Sequence, residues 1–188
     1  NKGPLVVAFR ELHALAAENH VQLRYDGTVA GGLPAIYVGT RDLRGAVVQT
    51  IEAVPNLVTG YIMDLLADGV VWEEALSRAR AEGVLEADAA WDLDGWDAAA
   101  KLAILANAAL DLSVGLDDIA RTGIGALGAV ELAAARERGA RYRLLARARR
   151  KPDGAYELSV APVALSADHP LGRLGRKQMG VVFATDIY

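Results

Sequence analysis

Within the dozen positions from 86 to 97 the chain carries Glu86, Asp88, Asp92, Asp94 and Asp97, and Lys101 follows four residues later. Lys101 lies in a run otherwise apolar from Ala98 to Ala106, so the helix this run predicts is buried on every side. An ammonium in such surroundings is costly unless a carboxylate answers it. Asp97 stands one helical turn earlier, on the same face. Two uses fit this spacing. Burial lowers a lysine's pKa and a neighbouring carboxylate raises it, so the pair can be set for acid–base work in a pocket where other acids bind an amino group. Alternatively, it is an i,i+4 ion pair at the solvent edge, with the remaining acids favouring the helix N-terminus. The stretch DLDGWD, residues 92–97, lacks the ligand spacing and closing glutamate of a calcium loop.

A second motif competes for attention. Gly123, Gly125 and Gly128 stand at GxGxxG spacing before a helical pattern. A dinucleotide fingerprint also needs a buried strand ahead of the glycines and an acid about 20 residues on. The preceding GLDDIART carries two acids and an arginine, and Arg141, Arg143 and Arg147 occupy the region where the acid belongs. A loop and a helix start account for the glycines better.

Few other residues invite chemistry. The lysines are Lys2, Lys101, Lys151 and Lys177, of which Lys151 falls in a turn and Lys177 in the basic loop GRLGRKQ. His13, His20 and His169 have no companions at metal-ligand spacing. Trp72, Trp91 and Trp96 read as packing residues.

The elements that must position these groups can be traced along the chain. Helical spacing runs over 4–18, with Pro4 tolerable in a first turn. VQLRYDGTV, 21–29, reads as a strand entering a glycine turn, and GAVVQTIEAV, 45–54, as a strand stopped by Pro55. Helices are expected over 56–67, 72–83 and 93–110, then one after the glycines. Strands follow over 141–149 and 155–165, joined at Pro-Asp-Gly, and over 180–188. The class is α+β, a mixed α/β arrangement with helices packed on a sheet.

Composition sets outer limits. The chain has 188 residues, no cysteine and a net charge of −4. That suffices for a core without disulfides and is compatible with the cytoplasm. Lys and Arg are scattered apart from RARRK at 147–151, which argues against a nucleic-acid partner. No apolar run is long enough to span a bilayer, so no membrane association is expected. The chain opens at Asn1 and closes in the strand-like VVFATDIY, both of which suggest a piece of something longer.

NKGPLVVAF at the start, TVAGGLP at 28–34, EADAAWDLDGWDAAAKLAILA at 86–106, DHPL at 168–171 and FATDIY at 183–188 resemble homoserine dehydrogenase in order and spacing. The segment from Glu86 to Lys101 is the most specific part, matching the family's E-x-D-x-x-x-D-x-x-G-x-D-x-x-x-K. The resemblance implies a two-domain, NAD- or NADP-dependent oxidoreductase that interconverts homoserine and aspartate semialdehyde on the way to threonine and methionine. It further implies that residues 1–27 are the remaining edge of the nucleotide-binding domain and 28–188 the catalytic and dimerisation domain. An isolated 188-residue piece is then expected to be inactive, and the protein to form a homodimer or larger homo-oligomer in the cytoplasm.

By the same resemblance Lys101 handles the proton at the substrate hydroxyl, Lys2 stands at the cofactor–substrate junction, and Asp97 supports the lysine. Glu86 and Asp92 hold the substrate amino group, and Asn56 joins Lys2 on the cofactor side. YDGTVAGGLP resembles a monovalent-cation loop, implying a sodium-like ion near Asp26, Val29, Gly31 and Leu33, with Asp26 where the family usually has Glu. Two departures remove polar groups from the implied pocket. Leu57 and Val58 replace a Gly-Thr pair, and Val84 replaces a tyrosine, which puts the substrate's identity in doubt more than the reaction type. A non-catalytic oligomerisation or regulatory module of the same fold, or a dehydrogenase for another small hydroxy compound, are the competing expectations.

Overall fold

The structure is a computed structural model and describes residues 1–85 and 89–187. The chain begins with two short helices, α1 (Gly3–Val7) and α2 (Phe9–Glu18), broken at Ala8 where the sequence predicts one continuous helix. After a loop and a brief turn of helix, α3 (Ala35–Tyr37), comes β1 (Val48–Val54), then α4 (Leu57–Ala67) and α5 (Trp72–Ala81). A single turn, α6 (Ala90–Leu93), leads into α7 (Trp96–Ala109). A two-residue strand, β2 (Ala120–Arg121), precedes α8 (Ala129–Glu137). The long hairpin β3 (Ala140–Arg150) and β4 (Tyr156–Ser166) and the strand β5 (Gly180–Thr185) complete the chain.

Among the described residues the strands form one five-stranded sheet in the order β2-β4-β3-β1-β5. All neighbours are antiparallel except β2 and β4. The core lies between one sheet face and the helices. Leu144, Ala146 and Ala148 of β3 meet α4 and α7, whose residues are nearly all buried. The small alanines of α7 let it lie close to the sheet, and its burial on all sides is what its unbroken apolar run predicts. Leu5 and Phe9 join the same core. The opposite sheet face carries a smaller cluster of Val54, Leu145, Leu165 and Leu171.

Further expectations change. The alternating run 21–29 is not a strand. Residues 21–25 are irregular and Asp26–Thr28 form a 3₁₀ turn. Val21 is 61% exposed and its N–H turns back to the Ala16 carbonyl, so the alternation has neither a pairing strand nor a face to bury. The helix expected over 93–110 begins at Trp96, because Gly95 adopts φ +82° and separates it from α6. The last strand ends at Thr185; Tyr188, at the end of the expected run, lies outside the described residues.

The glycine triplet now has a packing explanation. A Cβ at Gly123 would fall 2.5 Å from the Leu93 carbonyl oxygen and 2.7 Å from Asp94 Cα, whereas at Gly125 or Gly128 it would meet nothing within 4 Å. The Ile124 N–H donates to that same Leu93 carbonyl, so the loop is bound flat against α6. Gly123→Ala is expected to lower stability by about 1–3 kcal/mol through overpacking. Gly125→Ala should be tolerated. Equal urea midpoints for the two variants would remove this account of the motif.

Candidate active site

The end of β1 delivers Pro55 and Asn56 to the mouth of the core. Asn56 is the N-cap of α4, and its Oδ1 accepts from the Thr59 N–H at 3.2 Å. That bond orients the amide so that Nδ2 donates to Asp92 Oδ1 at 2.6 Å and to Asp97 Oδ2 at 2.7 Å. One side chain thereby caps a helix and ties together two carboxylates from α6 and the first turn of α7.

Asp97 sits between two ammonium groups. Lys101 Nζ is 2.8 Å from its Oδ2, one turn along α7, and Lys2 Nζ is 3.2 Å from its Oδ1. Lys101 also donates to the Pro55 carbonyl at 2.6 Å. An ammonium has three donors, so these two bonds leave one N–H for the cavity. The Lys101 side chain is 15% exposed and that of Lys2 36%, which puts Lys101 at the base of the arrangement and Lys2 nearer its rim. The ion pair is thus not at the solvent edge.

Burial alone would push the Asp97 carboxyl upward. The combined pull of Lys101, Asn56 and Lys2 outweighs it and holds the group below its ordinary value of 3.8. The unfolded chain therefore takes up this proton first as pH falls, and the stability Asp97 contributes is full above that value and lost as pH drops through the depressed one. In urea titrations the advantage of wild type over Asp97→Asn should be constant near neutrality and shrink below pH 3.8. An advantage that grows on acidification would contradict the depressed carboxyl.

These groups line an open cavity of about 810 Å³. Leu57, Val58, Val84 and Met179 give it an apolar side, and Trp91 stands beside Asp92 in its wall. All three apolar departures seen in the sequence thus face the cavity. Glu86, expected in the same constellation, lies outside the described residues. Pro55, Trp91 and Met179 are not legible in the sequence as site residues. The Asn-x-x-Thr spacing of a helix cap could have flagged the orientation of Asn56, but nothing in the sequence flags Met179.

The expected cation loop borders the cavity through Gly27, Thr28 and Gly31. Ala30 and Gly31 are consecutive left-handed residues, at φ +55° and +60°, which turn the chain sharply. The Asp26 carboxylate accepts the Tyr37 N–H at 2.9 Å, and the Asp26 and Leu33 carbonyls accept from Val29 and Ala35. Among the described residues no group of three or more His, Cys, Asp or Glu side chains could hold a metal ion.

Comparison with known proteins adds a finding of a different kind. The family model described as homoserine dehydrogenase matches residues 34–188. An NAD(+)-dependent homoserine dehydrogenase from Pseudomonas canavaninivorans is 35% identical over 187 residues, which is 100% of this chain and 53% of that protein. A homoserine dehydrogenase from Sulfurisphaera tokodaii is likewise 35% identical, over 100% of this chain and 57% of its own. The chain thus spans about half the length of these curated relatives. The crystal structure of a homoserine dehydrogenase from Thiobacillus denitrificans superposes with a TM-score of 0.93 at 28% identity, covering 100% of this chain and 43% of that one.

Proposed function

The chain belongs to the homoserine dehydrogenase family, and from that premise we propose that it supplies the substrate-binding and proton-handling part of an NAD- or NADP-dependent oxidoreductase interconverting homoserine and aspartate semialdehyde. The observation that carries this reading is a single buried carboxylate, Asp97, shared by Lys2 and Lys101, with Lys101 anchored a second time on Pro55. A structural ion pair needs one lysine. Two ammoniums converging on one carboxylate at a cavity wall fit a site that handles both a proton and an anionic ligand.

The nicotinamide, when bound, supplies the hydride chemistry. The chain's own residues do the rest. The third N–H of Lys101 points the proton at the substrate oxygen, giving it up as aldehyde becomes alcohol and taking it back in reverse. Asp97 stays ionised and keeps the ammonium in place, so it positions Lys101 and does not store the proton. Lys2, nearer the rim, is the better placed of the two cofactor-side residues; Asn56 has both amide hydrogens on carboxylates and acts through them. Asp92, with Glu86, holds the substrate amino group. Residues 1–27 belong with the nucleotide-binding part and 28–188 with the catalytic and dimerisation domain.

The test is the complete protein, assayed at the reduced-nicotinamide band with homoserine and either dinucleotide. Turnover supports the reading, and its absence with both dinucleotides sinks it. The same assay with sodium replaced by choline checks the ion we assign to Asp26, Val29, Gly31 and Leu33, since an unchanged rate would remove it. Light scattering checks the homodimer or larger homo-oligomer this reading includes. No described helix is long and apolar enough to cross a membrane. The cytoplasmic location we propose follows from the biosynthetic reaction assigned to the protein.

A further inference from the structure

Trp91 is expected from sequence to be a packing residue, yet the residue is 47% exposed and lines the cavity beside Asp92. It also borders a smaller recess of about 280 Å³ walled by Val6, Val7, Ala100 and Leu116. Its indole is nonetheless held. It stacks on Trp96 with ring centroids 5.8 Å apart and planes 19° from parallel. Trp96 in turn carries the Arg121 guanidinium 3.5 Å above its ring centre, and Arg121 donates to the Asp94 carbonyl. Gly95, at φ +82°, turns the chain between the two tryptophans, and a Cβ there would also crowd Val160 Cγ1 at 3.3 Å. A large aromatic surface is therefore fixed at a polar cavity, where burial alone would have favoured turning it inward.

The chemistry of the corner is specific. Asp92 offers a carboxylate and the preceding residue offers an indole whose negative π-face attracts cations. Carboxylate and aromatic wall together suit an alkylammonium, because the first supplies charge and hydrogen bonds and the second takes the adjoining CH₂ groups without competing for donors. We propose that Trp91 is a specificity-determining wall for the substrate's ammonium group, selecting amino-bearing ligands over those that lack the amino group. This rests on the proposed function only in naming homoserine as the ligand.

The test uses the complete protein with Trp91→Leu and Trp91→Phe. Leucine keeps apolar bulk and loses the π-face, so KM for homoserine should rise about tenfold, with phenylalanine falling between leucine and wild type. KM for the dinucleotide should stay at its wild-type value. Binding is read separately, without turnover, by calorimetric titration with homoserine and with its deaminated analogue 4-hydroxybutyrate. Wild type should respond to the amino compound at far lower concentration than to the analogue, and Trp91→Leu should lose that difference. A rise in KM for the dinucleotide instead would assign Trp91 to the cofactor, and equal losses for both titrants would reduce it to a steric wall; either overturns the inference. Should homoserine bind with this discrimination but not turn over, the proposed reaction fails and Trp91's role stands. Turnover without any discrimination would leave the reaction standing and overturn the role given to Trp91.

Discussion

Replacing Lys101 by methionine in the complete enzyme is expected to lower kcat for homoserine by about 10²–10⁴-fold, the range for losing a positioned general acid–base. Methionine is the informative choice because it keeps the apolar stem that packs in α7 and removes only the ammonium. KM should change far less, since Lys101 is committed to Asp97 and Pro55 before any ligand arrives. The rate is read at the nicotinamide band, and a thermal melt alongside shows that the fold persists. A folded variant that retains near-wild-type kcat would move proton transfer to another group, with Lys2 as the next suspect.

The second large effect concerns stability. Arg143 is 1% exposed, yet its guanidinium reaches Asp64 of α4 at 2.9 and 3.3 Å and the Leu174 carbonyl at 2.6 Å. Asp64→Asn leaves that guanidinium without its counter-charge and should cost about 3–5 kcal/mol in urea unfolding. Replacing both partners by apolar residues of similar size, Asp64→Leu with Arg143→Met, should recover much of the loss. A double variant no better than the single would mean that the bond to Leu174, not the charge pair, dominates. That bond matters for the site as well. Leu174 begins the segment that presents Met179 to the cavity, and Arg176 and Lys177 tie the same segment to Asp68 and Glu82.

What the sequence discloses and what it hides follow from the range of the forces involved. Lys101 and Asp97 are legible because an i,i+4 pair in an apolar run is a local signal. Lys2 and Asn56 reach the same carboxylate from distant parts of the chain, and no periodicity encodes that; the resemblance names them, but not the bonds they make. The long hairpin announces itself through Pro-Asp-Gly, whereas β2, two residues long and parallel to β4, depends wholly on its partner. The strand expected over 21–29 fails for the complementary reason, an alternating pattern with no neighbour to pair. Trp91 reads as core because aromatic residues in a helical segment usually are, and only its neighbours Trp96 and Arg121 show that it is held at the surface.

Pro55 and Asn56 hold the proton-handling groups from a single strand end, while the apolar side of the cavity is made by Leu57 and Val58, the next two residues of the same stretch, and by Val84 and Met179 from two other places in the chain. At Val84 and Met179 the wall can therefore vary apart from the proton-handling groups. A lineage can exchange wall residues one at a time and drift toward new hydroxy compounds, each step judged by selection on affinity alone. Any change at the strand end is judged on every function at once, so that short stretch should tolerate the least variation among descendants.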